Sequence, residues 1–290
     1  MNDRYQRIQI MEKEYPLTVL CRVLGVSRSG YHAWRTRKPS VRQQANDQLL
    51  AAIQQLHQGP ERCYGSPRLT PELKALGHAC SENRVARLMQ RHGVQAQKRK
   101  RFVPRTTDSD HDHPIAPNRL AQLPAPTGPN QVWLSDLTYV LTAQGWLYLA
   151  LVMDLWSRRI VGWAMADHLR SELVLGALEM ALTHRRPPKG LILHSDRGVQ
   201  YACTDTRQFL AAHGLVASMS RAGNPYDNAW MESAIGKIKN EVLGETILVD
   251  RQSAQEQLFV GLECWYNQRR RHSALNYQSP VAFEARFMNN

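Results

Sequence analysis

Val132-Trp133-Leu134-Ser135-Asp136-Leu137-Thr138-Tyr139-Val140 is the stretch on which the reading of this chain turns. Its β-branched and aromatic residues favour a strand. Thr142-Ala143-Gln144-Gly145 then supplies a turn, and Trp146–Leu155 and Arg159–Ala166 read as two further strands. Three such segments in succession predict an antiparallel meander. Asp136 falls in the middle of the first strand, where a carboxylate is costly to bury unless it is paired or liganded.

Downstream the pattern becomes α/β. Ser171–His184 reads as a helix, with Glu172 in its first turn and Leu175, Leu178 and Leu182 facing inward. Leu191–His194 is a short buried strand, Asp205–His213 a helix and Leu215–Met219 another strand. Asn224-Pro225 can open a long helix to about Leu243, with Asn as cap and Pro at the first helical position. A last helix covers about Arg251–Arg271. Three antiparallel strands followed by helix–strand–helix–strand–helix suggest an α/β, ribonuclease-H-like core, with a mixed five-stranded sheet and flanking helices.

Upstream of that core the chain is helical and basic. Leu17, Leu20, Val23 and Leu24 fall at helical spacing, and Gly25-Val26-Ser27 breaks the run. Ser27 can cap a second helix carrying Tyr31, Trp34 and Arg35. This is a helix-turn-helix pattern, with Arg28, Ser29, Arg35, Arg37 and Lys38 as candidate DNA contacts. Further helices are expected around Leu49–Leu56, Leu69–Leu76 and from Ser81, adding Arg68, Arg84 and Arg87 as candidates. Lys98-Arg99-Lys100-Arg101 ends the region with four cations suited to phosphates. Six prolines between Val103 and Asn130 mark a linker. The expected organisation is therefore 1–40 helix-turn-helix, 41–102 helical DNA-binding region, 103–129 linker and 130–290 catalytic core with a C-terminal helix.

The charge follows this division. Of a net +12 over 290 residues, residues 1–105 hold 20 Lys/Arg against 7 Asp/Glu, and the remainder 17 against 18. A basic module joined to a neutral one points to a polyanionic partner. A hydrophobic content of 43% excludes wholesale disorder. The polar start, Met1–Pro16, is not a signal peptide. The longest apolar stretch, Trp146–Met153, falls far short of the roughly 20 residues that span a bilayer. The five cysteines (21, 63, 80, 203, 264) form no Cys-x-x-Cys, so reduced thiols are expected and neither disulfides nor zinc. A soluble cytoplasmic protein associated with the nucleoid is the resulting expectation.

Three carboxylates carry the chemistry. Asp136 lies in a strand, Asp196 just past one in His194-Ser195-Asp196-Arg197-Gly198, and Glu232 inside the long helix. Converging acids repel unless cations neutralise them, and hard divalent ions accept such oxygens. Spacing alone is weak evidence. Asp196 and Glu232 have 35 residues between them, but so do the members of Asp136/Glu172, Asp205/Glu241 and Asp227/Glu263. With 12 Asp and 13 Glu, chance gives about half a pair. Context decides. Asp205 and Asp227 sit near helix starts and Glu172 in a first helical turn, where acids are favourable without catalysis. Asn228 lies one turn before Glu232, and Lys239 two turns beyond it on the same face, placed to hold a DNA phosphate.

Trp-x-Ser-Asp-Leu-Thr-Tyr, His-Ser-Asp-Arg-Gly-x-Gln-Tyr and Asn-x-x-x-Glu with Lys seven further on resemble the integrase catalytic core of the retroviral integrase superfamily. More closely, the chain resembles the DDE transposases of bacterial insertion sequences, of the second-reading-frame (orfB) type. Tyr64-Gly65-Ser66-Pro67-Arg68, Asn83–Met89, Tyr266-Asn267, Arg270, His272, Leu275 and Pro280 extend the likeness over nearly the whole chain. The resemblance implies that Asp136, Asp196 and Glu232 are catalytic and bind two Mg²⁺ ions, for which Mn²⁺ can substitute. It implies cleavage at the element's terminal inverted repeats and joining of the freed 3′-hydroxyl to target DNA, by a homodimer or higher oligomer on double-stranded DNA. The His/His/Cys/Cys zinc module of retroviral integrases has no counterpart here, and the helix-turn-helix takes its place. Family members are often fused to an upstream-frame (orfA) product with a leucine zipper, and no sustained heptads occur in this sequence. An accessory that only binds DNA and a nuclease using water as attacking group are the competing expectations.

Overall fold

The computed structural model describes residues 2–97, 111–221, 225–244 and 247–288. Contacts divide the chain into two compact units, residues 1–52 and 53–290. The break thus falls inside a helix, not after residue 40 where the sequence places a boundary.

The first unit holds α1 (Asn2–Met11), α2 (Leu17–Val23), α3 (Arg28–Thr36) and the greater part of α4 (Val41–Leu56). Helix α1 lies in a segment the sequence reads only as polar. Its Ile8 is fully buried with Leu20, Cys21 and Tyr31, and Tyr5, Leu17 and Trp34 pack against them. The expected cap is present: Ser27 accepts a bond from the Gly30 amide at 3.0 Å, satisfying a first-turn donor.

The second unit is built on a five-stranded sheet, β1 (Val132–Thr142), β2 (Gly145–Asp154), β3 (Ile160–Ala166), β4 (Ile192–Ser195) and β5 (Val216–Met219), in the order β3-β2-β1-β4-β5. The meander β1-β2-β3 is antiparallel, whereas β4 and β5 run parallel to β1. This mixed sheet with flanking helices is the ribonuclease-H-like architecture, with every strand within a few residues of its expected bounds. Helices α5 (Ser66–Ala75) and α6 (Glu82–Arg91) precede the sheet. Helices α7 (Ser171–Arg185), α8 (Val199–Ala202), α9 (Thr204–Ala212), α10 (Ala229–Ile238), α11 (Arg251–Val260) and α12 (Pro280–Met288) follow or interrupt it.

Period-two alternation sorts the strands between two cores. Trp133, Ala150, Val152 and Val161 join α7 on one face. Leu134, Val140, Leu149, Leu151 and Ile160 join Met231, Ala234 and Ile238 of α10 and Leu258 of α11 on the other. Gly162 permits the closest approach of β3 to α7, because a Cβ there would lie 2.1 Å from the Ala177 carbonyl oxygen.

Three segments differ from expectation. The helical run before Leu243 is made of a 3₁₀ turn (Pro225–Asn228), α10 and a π turn (Lys239–Leu243). The anticipated Asn224 cap lies outside the described residues, and Asn228 stands at the N-cap of α10 without a side-chain capping bond. The last expected helix likewise ends as α11 plus a π turn (Gly261–Asn267). The described part of the Pro-rich stretch is also tied to the core: Asn118 donates to Asp227 at 2.9 Å, and the Arg119 amide to the Ser218 hydroxyl at 2.9 Å.

Buried ion pairs anchor the C-terminal segments. Arg270 grips Glu241 with two bonds of 2.6 and 2.7 Å, and Trp265 adds an indole N–H at 3.2 Å. Glu284 on α12 receives Arg159 and Arg185. Arg271 pairs with Glu72 of α5 at 2.7 Å, and its amide donates to the Tyr64 hydroxyl at 2.9 Å.

Candidate active site

The sheet brings Asp136 and Asp196 together. Strands β1 and β4 pair in parallel as far as Leu134 opposite His194, which brings Asp136, two residues further along β1, and Asp196, just past the end of β4, into one neighbourhood. Both line one cleft with Leu137, Thr138, Tyr139, Leu169 and Gln200. Asp136 accepts from the Leu137 amide at 2.8 Å, and Asp196 from the Gly198 amide at 3.0 Å.

Several bonds hold this pair in place. Ser135, one residue before Asp136, donates to the Leu151 carbonyl at 3.1 Å and lies 2.9 Å from the buried Tyr201 hydroxyl. Burial, followed by the charges of Asp136 and Asp196, drives the Tyr201 phenol well above its ordinary range, so it stays protonated. His194 is fully buried, with its ring nitrogens 2.8 and 3.1 Å from the Ser218 and Ser220 hydroxyls. Burial pushes it down to about 4, which keeps it neutral. Arg197 donates to the Ser220 carbonyl at 2.6 Å, and its own carbonyl meets His111 Nε2 at 2.7 Å. His111 thus pins the Asp196 loop.

The Asp136 carboxyl is pushed up to about 8, first by burial and then by the negative charge of Asp196. Glu232 raises it further, while the Leu137 amide and Lys239 pull it down. Three of the predicted groups, Asp196, Glu232 and Lys239, therefore act on one carboxylate. Their positions differ, however. Glu232 is exposed on α10, and among the described residues no three His, Cys, Asp or Glu side chains gather closely enough to hold one metal ion. Two oxygen donors are provided by adjacent strands, and the third stands on the helix alongside. Asp136 and Asp196, two mutually repelling carboxylates in one cleft, are oxygen donors of the kind that hard divalent cations take.

Lys239 begins the π turn after α10, and its ammonium sits 4.9 Å from the centre of the Tyr139 ring, at the rim of the cleft. Asn228 is 6% exposed and donates to the Ser135 carbonyl at 3.4 Å, while its Oδ1 has no partner. Asn228, expected from the sequence as a DNA contact, thus ties the start of α10 to the strand bearing Asp136.

Of the other candidate DNA contacts, Arg28, Ser29, Arg37 and Lys38 are exposed on or beside α3. Arg35 is also exposed, and pairs with Glu12 of α1 at 3.1 Å. Arg87 is exposed and bonds the Asn83 carbonyl, and Arg84 bonds the Ala79 carbonyl. Arg68 packs over Tyr64 at 5.5 Å. Lys98, Arg99, Lys100 and Arg101 lie outside the described residues.

With the fold and this geometry in hand, comparison with known proteins places the chain in a class. Residues 126–225 match the family model described as Integrase core domain, and residues 213–280 a second model of the same description. Residues 44–102 match an HTH-like domain, downstream of the helix-turn-helix read from the sequence at 16–37. The larger unit is thus of the integrase-core class.

The relatives are more specific. The chain is 45% identical over 268 residues to the insertion element IS600 uncharacterized 31 kDa protein of Shigella sonnei, covering 92% of this chain and 98% of that protein. It is 38% identical over 283 residues to transposase InsF for insertion sequence IS3A of Escherichia coli (strain K12), covering 97% and 98%. The chain belongs to the insertion-sequence transposase family. Among solved structures it is similar to the HTLV-2 integrase catalytic core domain in complex with magnesium, at 17% identity and a TM-score of 0.43, over 55% of this chain and 98% of that one. Among the described residues no helix is long and apolar enough to cross a membrane.

Proposed function

We propose that the chain is a divalent-metal-dependent DNA strand transferase, cutting at the ends of an insertion sequence and joining them to target DNA. The observation supporting this reading is that Asp136 and Asp196 line one cleft while Asp196, Glu232 and Lys239 all act on the Asp136 carboxylate. Asp136, Asp196 and Glu232 would hold two Mg²⁺, with Mn²⁺ able to substitute. Such ions, when bound, activate an attacking oxygen and stabilise a leaving one.

The chain's own residues do the rest. Ser135, Tyr201 and His194 support Asp136 and Asp196, and Asn228 ties the start of the helix bearing Glu232 to the strand bearing Asp136. Lys239, at the cleft rim, holds a phosphate of the entering strand. In joining, a DNA 3′-oxygen bonds to the target phosphorus as that phosphorus releases its own 3′-oxygen. The proton of the attacking hydroxyl is balanced by the one the leaving oxygen takes up. One phosphodiester replaces another, so no high-energy cofactor is consumed. Terminal repeats and target DNA are the partners, with more than one copy on the DNA, an upstream-frame product as a further partner, and the cytoplasm and nucleoid as setting.

Incubation with Mg²⁺ and labelled element-end duplex tests this. Joined strands are expected, and Glu232→Gln abolishes them while leaving duplex binding within about twofold of wild type. Nicks without joining would instead indicate a nuclease, and a mobility shift without either product an accessory DNA-binding protein. Loss of binding by a folded Glu232→Gln protein would count against the assignment of that residue.

A further inference from the structure

A second cavity, of about 290 Å³, opens beside α10 on a face carrying Ser233 and Lys237, not Glu232. Its mouth is formed by the exposed Trp230, Ser233, Ser273 and Ala274, and its wall by Arg68, Arg158, Lys237, Arg270 and His272. Arg270 is neutralised by Glu241. Arg68, Arg158 and Lys237 form no salt bridge among the described residues. Arg158 Nη1 and His272 Nε2 are buried without a hydrogen-bond partner, and His272 is only 5% exposed. Asp154, the other acid near Arg158, already accepts amides from Asn130, Trp156 and Ser157.

The electrostatics agree with the geometry. Lys237 is pushed down to about 8 by burial and then by Arg270, Arg68 and Arg158. His272 is pushed down to about 2 by burial and by the same cations with Lys237, so its ring is neutral. Three cations without an ion-pair partner around one cavity repel each other, with Glu241 acting on Lys237 and Asp154 on Arg158 as partial compensation, and an entering anion relieves that repulsion. Guanidinium groups suit phosphate oxygens because their N–H donors form a planar fork. Stacking of Arg158 over Trp230 at 5.6 Å holds such a fork at the mouth.

We propose that this cavity is a phosphate-binding site taking one phosphate of a DNA backbone, gripped by Arg158, Arg68 and Lys237 with His272 Nε2 contributing. The choice of DNA as source rests on the function proposed above. Free phosphate shares the chemistry, so two arms separate the sources.

In the first arm, duplex binding is measured by anisotropy against salt, in EDTA so that no strand is cut, for wild type, Arg158→Gln and Lys237→Met. One phosphate contact contributes about 0.9 to the slope of log K against log salt. Either substitution lowers the slope by about that amount and weakens binding several-fold. In the second arm, inorganic phosphate is compared with chloride at matched ionic strength. Phosphate raises the Tm of wild type, and the rise disappears in both variants. In chloride both variants keep the wild-type Tm or exceed it, since each removes a mutually repelling charge; a variant that fails to fold leaves the other to carry the test. An altered salt slope, with or without the phosphate effect, supports the site. A phosphate effect with an unchanged slope overturns the backbone assignment, and no change in either arm overturns the site itself. Joining is not measured, so its failure and the failure of this site remain distinguishable.

Discussion

Glu241→Gln tests how the helix bearing Glu232 is held. Glu241 lies in the π turn that continues α10, nine residues beyond Glu232, and receives two bonds from Arg270 and one from Trp265. The two side chains are 4% and 1% exposed. Glutamine preserves shape but leaves the Arg270 charge buried without a counter-ion, near Lys237 and Arg158. Breaking one side of such a pair costs about 3–5 kcal/mol. Residues 53–290 form the unit concerned, and an unfolding entropy of about 2.1 cal/mol/K per residue converts each kcal/mol into about 2 °C. Differential scanning calorimetry should therefore show that unit melting about 6–10 °C lower. The double variant Glu241→Met with Arg270→Met should recover most of the loss, because two apolar side chains leave no charge buried. A Tm loss below about 2 °C for Glu241→Gln, or a double variant worse than both singles, would refute the argument.

Further outcomes follow from other contacts. Gly162→Ala should lower the urea midpoint by an amount equivalent to at least about 1–3 kcal/mol, the range for overpacking. The new methyl meets backbone of α7, which cannot swing aside as a side chain does. Asp227 is held down to about 2 chiefly by its bond to Arg221. A depressed carboxylate stabilises the fold above its ordinary range near 4 and loses that contribution as pH falls through about 2. Comparing Asp227→Asn with wild type by denaturant titration should show a gap present at pH 6 and closed by about pH 2; because Arg221 is 63% exposed, the gap is at most about 1 kcal/mol. Ser27→Ala removes the cap of α3 and should destabilise the first unit by about 1 kcal/mol, read as faster amide exchange in α3 with residues 53–290 unaffected.

Strand positions were legible because alternation and turn chemistry are local properties, and Asp136 and Asp196 were conspicuous as acids in or beside apolar strands. Their adjacency was not legible in the residues alone: it depends on parallel pairing between segments almost sixty residues apart, and period two names a strand without naming its partner. The same gap explains Arg35. Reading Met1–Pro16 as merely polar hid α1, whose Ile8 is buried and whose Glu12 occupies that arginine. Asn228 looks like a surface residue at a helix start, yet the Ser135 carbonyl draws it into the interior. The cations around the second cavity are scattered from Arg68 to Arg270, so no sequence window contains them together.

The parallel pairing of β1 and β4 also acts as a ruler. Neighbouring strands lie about 4.8 Å apart whatever connects them, so the spacing of the β1 and β4 backbones that lead into Asp136 and Asp196 is set by main-chain hydrogen bonding as far as Leu134 and His194. The intervening chain can therefore be lengthened at the Ala143-Gln144 turn, or between α7 and β4, without altering the gauge of the site. A permuted protein with new termini at Ala143-Gln144 should keep the two aspartates at their original spacing. Glu232 has no such ruler: its setting depends on how α10 is seated, through Asn228 at one end and Glu241 at the other. In engineering terms, two of the three acids belong to the chassis and the third is an adjustable part.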